Sequence, residues 1–289
     1  MERRAGAPVI AITGCDTGIG EALCRRYLEA GYIVVAGYLQ KPPAPLEEWH
    51  RVCPLDMRSE TSIGEFAAAV KDRVGSGNRL AAVVQNAGMV SASPLECLPL
   101  AALREVFEVN YFGLYSLTQK LVPELIADGG RLALVGSMAG RVGMPFFSPY
   151  VSSKYAVEGL AESLRRELGP LGVKVILFEP AAVVTPIWDN SWARIKKDLL
   201  PLIIDRYRDV FLKIGNQFVA NGNAGMGVEE AVDQIIRAIH ASRPRARYII
   251  SKSLWLSRLE AILPSSLMDR LIIKAFNLSA LAPKRPPLK

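Results

Sequence analysis

Tyr150 and Lys154 stand four residues apart in a stretch of helical periodicity, so one turn of helix can face both the same way. A phenol ionises near pH 10 and is a poor base at neutrality. A lysine ammonium beside it favours the phenolate, as would the positive ring of an oxidised nicotinamide. Tyr150 could then take a proton from an alcohol or return one to a carbonyl, with the Ser137 hydroxyl bonded to the same oxygen. Such a group moves protons only; a hydride has to come from a bound cofactor. A second group of residues suits that need. Thr13-Gly14-Cys15-Asp16-Thr17-Gly18-Ile19-Gly20 follows an apolar run and opens a helical pattern. Glycines there allow a sharp turn and close approach to a phosphate, and a helix N-terminus offers free N–H groups to a pyrophosphate. An ordinary glycine-rich turn is the plain alternative; the strand before and the helix after favour dinucleotide binding.

These residues need elements to position them. Short apolar runs predict strands at 8–13, 32–38, 51–55, 80–85, 131–136, 173–178 and 247–251. Helical spacing predicts helices at 19–30, 61–74, 96–109, 111–126, 150–168 and 228–241. Residues 41–45, Lys-Pro-Pro-Ala-Pro, read as a loop. The alternation implies an α/β fold, a single Rossmann-type doubly wound parallel sheet of about seven strands with helices on both faces. No internal repeat or linker interrupts it. Residues 1–289 therefore read as one domain, with a core at 8–251, a helical segment at 186–227 and a basic amphipathic extension at 252–289.

Composition removes several function classes. Half of the 289 residues are apolar and 22% are charged, which excludes a disordered chain. Cys15, Cys24, Cys53 and Cys97 lack paired spacing, which argues against a disulfide framework and for a reducing compartment. No apolar run reaches the roughly 18 residues of a membrane span, and residues 1–8 lack a signal-peptide core. A cytoplasmic protein is expected. His50 and His240 stand far apart, so no metal site is expected. The net charge of +7 is uneven: residues 237–289 carry eleven Lys and Arg against Glu260 and Asp269, and the remainder is slightly acidic. A basic tail without a recognised reading module argues against a nucleic-acid partner.

Taken in order, the motifs resemble the short-chain dehydrogenase/reductase family over essentially all of residues 8–251. Its Thr-Gly-x3-Gly-x-Gly is matched by Thr13, Gly14, Gly18 and Gly20. Its Asn-Ala-Gly is matched by Asn86, Ala87 and Gly88, with Gln85 where an Asn usually precedes. Asn110 matches its helix Asn, Ser137 its strand-end Ser, and Tyr150 and Lys154 its Tyr-x3-Lys. The resemblance implies that Ser137, Tyr150, Lys154 and Asn110 form the catalytic set. Lys154 would also bind the nicotinamide ribose, and Asn110 would hold a water linking Lys154 to solvent. It implies further cofactor contacts at Asp16, Ile19, Tyr38, Pro180 and Val183, at Asp56 against the adenine, and at Thr185 against the nicotinamide amide. Ala181 replaces the Gly that follows Pro180, so the backbone there must avoid conformations only Gly tolerates. Residues 37–40, Gly-Tyr-Leu-Gln, offer neither a carboxylate for ribose hydroxyls nor an Arg for a 2′-phosphate. The Asp16 charge is unwelcome beside that phosphate, and Cys15-Asp16 resembles the retinol and 17β-hydroxysteroid dehydrogenase branch. NAD is favoured over NADP.

In this family the segment after Thr185 covers the substrate. Here it carries Trp188, Trp192, Ile195, Phe211 and Phe218, and Met144, Pro145, Phe146 and Phe147 precede Tyr150. With no evident Arg clamp, a bulky steroid-, retinoid- or lipid-like alcohol or ketone is expected. Beyond 251, Trp255, Leu256, Leu259, Ile262 and Leu263 make one apolar stripe. Met268, Leu271, Ile272, Ala275 and Phe276 make another, with Arg258, Arg270 and Lys274 among them. These helices either cap the sheet, roof the substrate site or meet a second subunit, or they lie on an anionic membrane. The resemblance implies a homodimer or homotetramer joined through helices 103–126 and 150–168. Two alternatives stay open: a family-related epimerase or dehydratase, disfavoured by the glycine spacing, and a non-catalytic dinucleotide-binding scaffold or sensor, disfavoured by the complete Ser137, Tyr150 and Lys154 set.

Overall fold

The structure, a computed structural model, describes residues 6–42, 51–254 and 263–282. Its strands are β1 (Pro8–Thr13), β2 (Ile33–Tyr38), β3 (Arg51–Pro54), β4 (Arg79–Gln85), β5 (Arg131–Val135), β6 (Lys174–Pro180) and β7 (Arg247–Ile250). They form one sheet in the order β3-β2-β1-β4-β5-β6-β7, and every pairing is parallel. The helices are α1 (Gly18–Glu29), α2 (Glu60–Gly75), α3 (Leu100–Phe107), α4 (Gly113–Asp128), α5 (Ser148–Leu168), α6 (Ile187–Asp198), α7 (Asp205–Asn223), α8 (Val228–His240) and α9 (Ser265–Ala275).

Successive side chains of a strand point to opposite faces, and here both faces are covered, so the central strands are apolar throughout. Val9, Ala11, Val83, Leu132 and Leu134 pack with α2, α4 and α5 on one face. Ile10, Ile12, Val84, Ile176 and Phe178 pack with α1 and α8 on the other. Strand order reverses beside β1, where β4 returns on its far side, and this opens a crevice at the carboxyl ends of β1 and β4.

Two boundaries differ informatively from those expected. The expected break between helices at 110 is a π-helical turn, Glu108–Phe112, that joins α3 to α4 without interruption. Helix α5 starts at Ser148 rather than 150, because Pro149 in the first turn lacks only an N–H that has no helical partner there. The expected excursion at 186–227 folds into α6 and α7. They build a third core in which Trp192, Ile195, Phe211 and Ile214 meet Val90 and Phe147. A Cβ at Gly215 or Gly222 would overlap the rings of Trp192 and Trp188, so these glycines admit the tryptophans of α6 to the α7 backbone.

Residues 43–45 of the expected loop, Trp255, Leu256, Arg258, Leu259 and Ile262 lie outside the described residues. Helix α9 buries no residue fully, but Phe276 and Leu278 after it join the third core. Leu267, Leu271 and Ile273 face solvent. Among the described residues no helix is long and apolar enough to cross a membrane, and no group of His, Cys, Asp and Glu could hold a metal ion.

Candidate active site

The crevice is built first by backbone. Gly14 and Gly18 take φ of 69° and 65°, the left-handed region that favours glycine. A Cβ on Gly20 would overlap the Gly14 carbonyl, and one on Gly18 would press within 2.9 Å of the Thr185 methyl. The Asn86 amide donates to the Thr13 and Gly14 carbonyls at 3.1 and 3.0 Å. The Thr13 hydroxyl accepts from the Asn86 and Ala87 N–H groups at 3.0 and 2.9 Å. The turns after β1, β4 and β6 are thereby drawn together. Thr17 at the start of α1 makes no side-chain cap, so the first N–H groups of that helix are left for an anion. Ile19 turns its side chain into the core, which leaves its main chain for a ligand. These features fit a dinucleotide.

Two residues expected to touch the adenosine half are already engaged. The Asp16 carboxylate accepts the Leu39, Gln40 and Lys41 N–H groups, at 2.6 Å from Gln40, immediately after Tyr38 ends β2. Asp56 is gripped by Arg58 through Nε and Nη2 at 2.9 and 2.8 Å, and this hydrogen-bonded guanidinium holds its carboxyl below the usual range. Gln85, where the family has Asn, donates to the Leu114 carbonyl and the Thr118 hydroxyl of α4.

Tyr150 occupies the inner wall. Its ring joins the third core, and its hydroxyl faces Ser137, which favours the ionised phenol. Ser137 caps the short turn Met138–Gly140 by accepting the Ala139 N–H at 3.1 Å, and it donates to the Pro180 carbonyl at 3.5 Å. Lys154 is only 5% exposed. Its Nζ donates to the Val135 carbonyl at 2.9 Å and lies 5.8 Å from the Tyr150 ring centre. The expected depression of the Tyr150 pKa is not met here. Burial pushes the phenol up against the opposing Ser137 hydrogen bond, because the lysine is turned to the main chain. Burial also brings Lys154 down to about 8.

Asn110, in the π turn, donates to the Met89 carbonyl and the Ser153 hydroxyl at 3.0 and 2.9 Å, and accepts the Met89 N–H at 2.8 Å. Both amide donors are committed, so a bound water could only donate to its remaining oxygen lone pair. Gly88 abuts both Asn110 Oδ1 and Lys154 Nζ. Val183 is buried, and its carbonyl takes the Trp188 indole N–H at 2.6 Å. Among the described residues the positive-φ residues other than glycines are Phe146 and Asn277, and Ala181 is not one of them, so the replacement of Gly is tolerated.

Sequence reasoning missed a charged cluster beneath this wall: Glu158, Glu179, Arg141 and Arg247. The available signals were Glu158 one turn beyond Lys154 and Glu179 directly after the apolar run Val175–Phe178.

Residues 8–196 match the family model for short chain dehydrogenase. The chain belongs to the short chain dehydrogenase family. As a short chain dehydrogenase it is an oxidoreductase built on a nucleotide-binding Rossmann fold. An NADPH-dependent 3-dehydrocapnine reductase of Ornithobacterium rhinotracheale is 30% identical over 275 residues, covering 91% of this chain and 95% of that protein. Estradiol 17-beta-dehydrogenase 2 of Mus musculus is 28% identical, covering 92% of this chain and 74% of that protein. A short chain dehydrogenase/reductase of Burkholderia phymatum in complex with NAD superposes at a TM-score of 0.71 with 19% identity, over 100% of both chains.

Proposed function

We propose that this short chain dehydrogenase interconverts a bulky hydrophobic alcohol and its ketone or aldehyde, with NAD as the preferred cofactor. The observation that carries the reading is the position of Tyr150. Its ring belongs to the apolar third core, while its hydroxyl meets Ser137 one turn from Lys154. An oxygen held at that hydroxyl therefore has an apolar substrate wall on one side and the dinucleotide crevice on the other.

The nicotinamide, when bound, supplies or accepts the hydride. The glycine loop and the α1 N-terminus would hold its pyrophosphate, and Lys154 its ribose. Ser137 orients the substrate oxygen and Tyr150 exchanges the proton with it. A Lys154 ammonium turned from the Val135 carbonyl toward Tyr150 would favour the phenolate as that proton leaves. Asp16 supports NAD by placing a carboxylate at the end of β2, where a 2′-phosphate would have to lie. The third core supports a large apolar substrate, because the aromatic Phe146, Phe147, Trp192, Phe211 and Phe218 that build it stand beside Tyr150. The name of the estradiol dehydrogenase relative agrees with such a substrate class. The packing of Phe276 and Leu278 supports the roofing role for the C-terminal segment. Exposed Phe112, Tyr115 and Tyr155 on α4, α5 and the π turn support a homo-oligomer joined by those helices.

The test is nicotinamide absorbance with purified protein across steroid, retinoid and aliphatic alcohols, with Tyr150→Phe as control. Turnover of hydrophobic secondary alcohols with NAD, reduced about 100- to 10,000-fold by the variant, is expected, as is usual for loss of a general acid–base group. Best turnover of short polar alcohols would refute the substrate class. Turnover surviving in the variant would refute the role of Tyr150.

A further inference from the structure

Behind the Tyr150 wall two buried carboxyl groups face each other. Glu158 lies on α5 one turn beyond Lys154; Glu179 lies on β6, fully buried, directly before the Pro180 whose carbonyl accepts the Ser137 hydroxyl. One oxygen of each is taken by arginine. Arg247 from β7 donates to Glu158 Oε2 and, at 3.1 Å, to Glu179 Oε1; Arg141 donates to Glu179 Oε1 at 2.8 Å. The other oxygens, Glu158 Oε1 and Glu179 Oε2, are buried and have no donor. Yet both carboxylates accept from the same Arg247 Nη1, which sets the two side chains side by side. Two carboxylates are acceptors only, so a hydrogen bond between them requires a proton. Gly136 and Gly140, either side of Ser137, border Glu158 Oε1, which a Cβ on either would meet at 3.4 and 3.2 Å.

We propose that Glu158 and Glu179 share one proton at neutral pH, and that this dyad is a positioning element which adjusts the charge held at Lys154. The second half rests on the reading of Lys154 as the partner of Tyr150. Loss of the shared proton puts a second negative charge one turn from the Lys154 ammonium and holds it protonated. The groups facing the dyad are Lys154 and Glu162 on α5, Arg141 after the Met138–Gly140 turn and Arg247 on β7. Burial, then the Glu179 charge, pushes Glu158 up to about 7 against the opposing arginines. Burial lowers Lys154, and the Glu158 charge raises it again.

The decisive variant is Glu158→Gln. Its amide can donate to Glu179 Oε2 in place of the shared proton, so it copies the protonated dyad and keeps the fold. Infrared difference spectra between pH 6 and pH 9 should show a protonated-carboxyl C=O band lost in the wild type and missing in Glu158→Gln and Glu179→Gln. Titration of the lysine ammonium by ¹⁵N NMR, with Lys154→Arg to assign the signal, should place Lys154 lower in Glu158→Gln by roughly half a pH unit or more. Both readouts need no substrate, so a failure to find turnover would count against the functional reading and not against the dyad. A wild type without a titrating carboxyl band would overturn the shared proton. An unchanged Lys154 titration in both variants would overturn the adjustment of its charge.

Discussion

Substituting Asp16 by Asn should change which dinucleotide the protein prefers. The Asp16 carboxylate draws in three successive main-chain N–H groups, of Leu39, Gln40 and Lys41. Such an array would otherwise be an anion-binding concavity at the end of β2. The carboxylate both occupies it and repels a further anion. A 2′-phosphate carries about −1.5 charges near neutrality. At a separation of about 6 Å and an effective dielectric of about 40, suited to a half-exposed site, the repulsion is roughly 2 kcal/mol, or about 30-fold in affinity. Asn removes the charge and keeps an oxygen for the Gln40 N–H, so the loop should hold. NADH and NADPH binding, followed by nicotinamide fluorescence at about 0.15 M salt, gives the ratio of the two dissociation constants. The wild type should bind NADH the more tightly, and Asp16→Asn should move the ratio toward NADPH by about 30-fold. A wild type that binds NADPH as well as NADH, or a variant with the same ratio, refutes the reasoning.

Lys154→Met should lose turnover and should also change how stability depends on pH. The folded pKa of Lys154 lies near 8, below its unfolded value near 10.4, so the unfolded chain binds more protons between them. Wild-type stability should therefore rise relative to Lys154→Met as pH climbs from about 8 to 10.4, by up to about 3 kcal/mol in denaturant midpoints. Gly20→Ala places a methyl against the Gly14 carbonyl. It should destabilise the fold by about 1–3 kcal/mol and weaken NADH binding at least tenfold by titration, an effect that a Gly64→Ala control, where a Cβ meets no neighbour, should not show. Phe211→Ala, removing a ring that is 1% exposed in the third core, should lower stability by about 3–5 kcal/mol. It should also raise KM for steroid-sized alcohols more than for short ones.

The legible part of the site is the part carried by local rules. Strand β1, the loop to Gly20 and helix α1 read directly, because glycine conformation, helix starts and apolar runs depend on residues close in sequence. Tyr150 and Lys154 read as a pair because a helical turn spans four residues. The parallel seven-stranded sheet followed from alternating elements. Less legible was the use of each side chain. Asp56 has the expected residue type, yet Arg58 holds it. Asn110 matches its motif, yet its amide is committed to Met89 and Ser153.

The amino-acid sequence alone therefore determined the fold class, the dinucleotide loop and the order of the candidate catalytic residues, since each rests on short-range spacing. Only the tertiary structure decided three other matters. It put the Asp16 carboxylate on the N–H groups of 39–41, more than twenty positions away. It turned Lys154 to the Val135 carbonyl. It brought Glu158, Glu179, Arg141 and Arg247 together from a helix, two strands and a loop. Burial and charge pairing act through space, and no window along the chain contains both partners of such contacts.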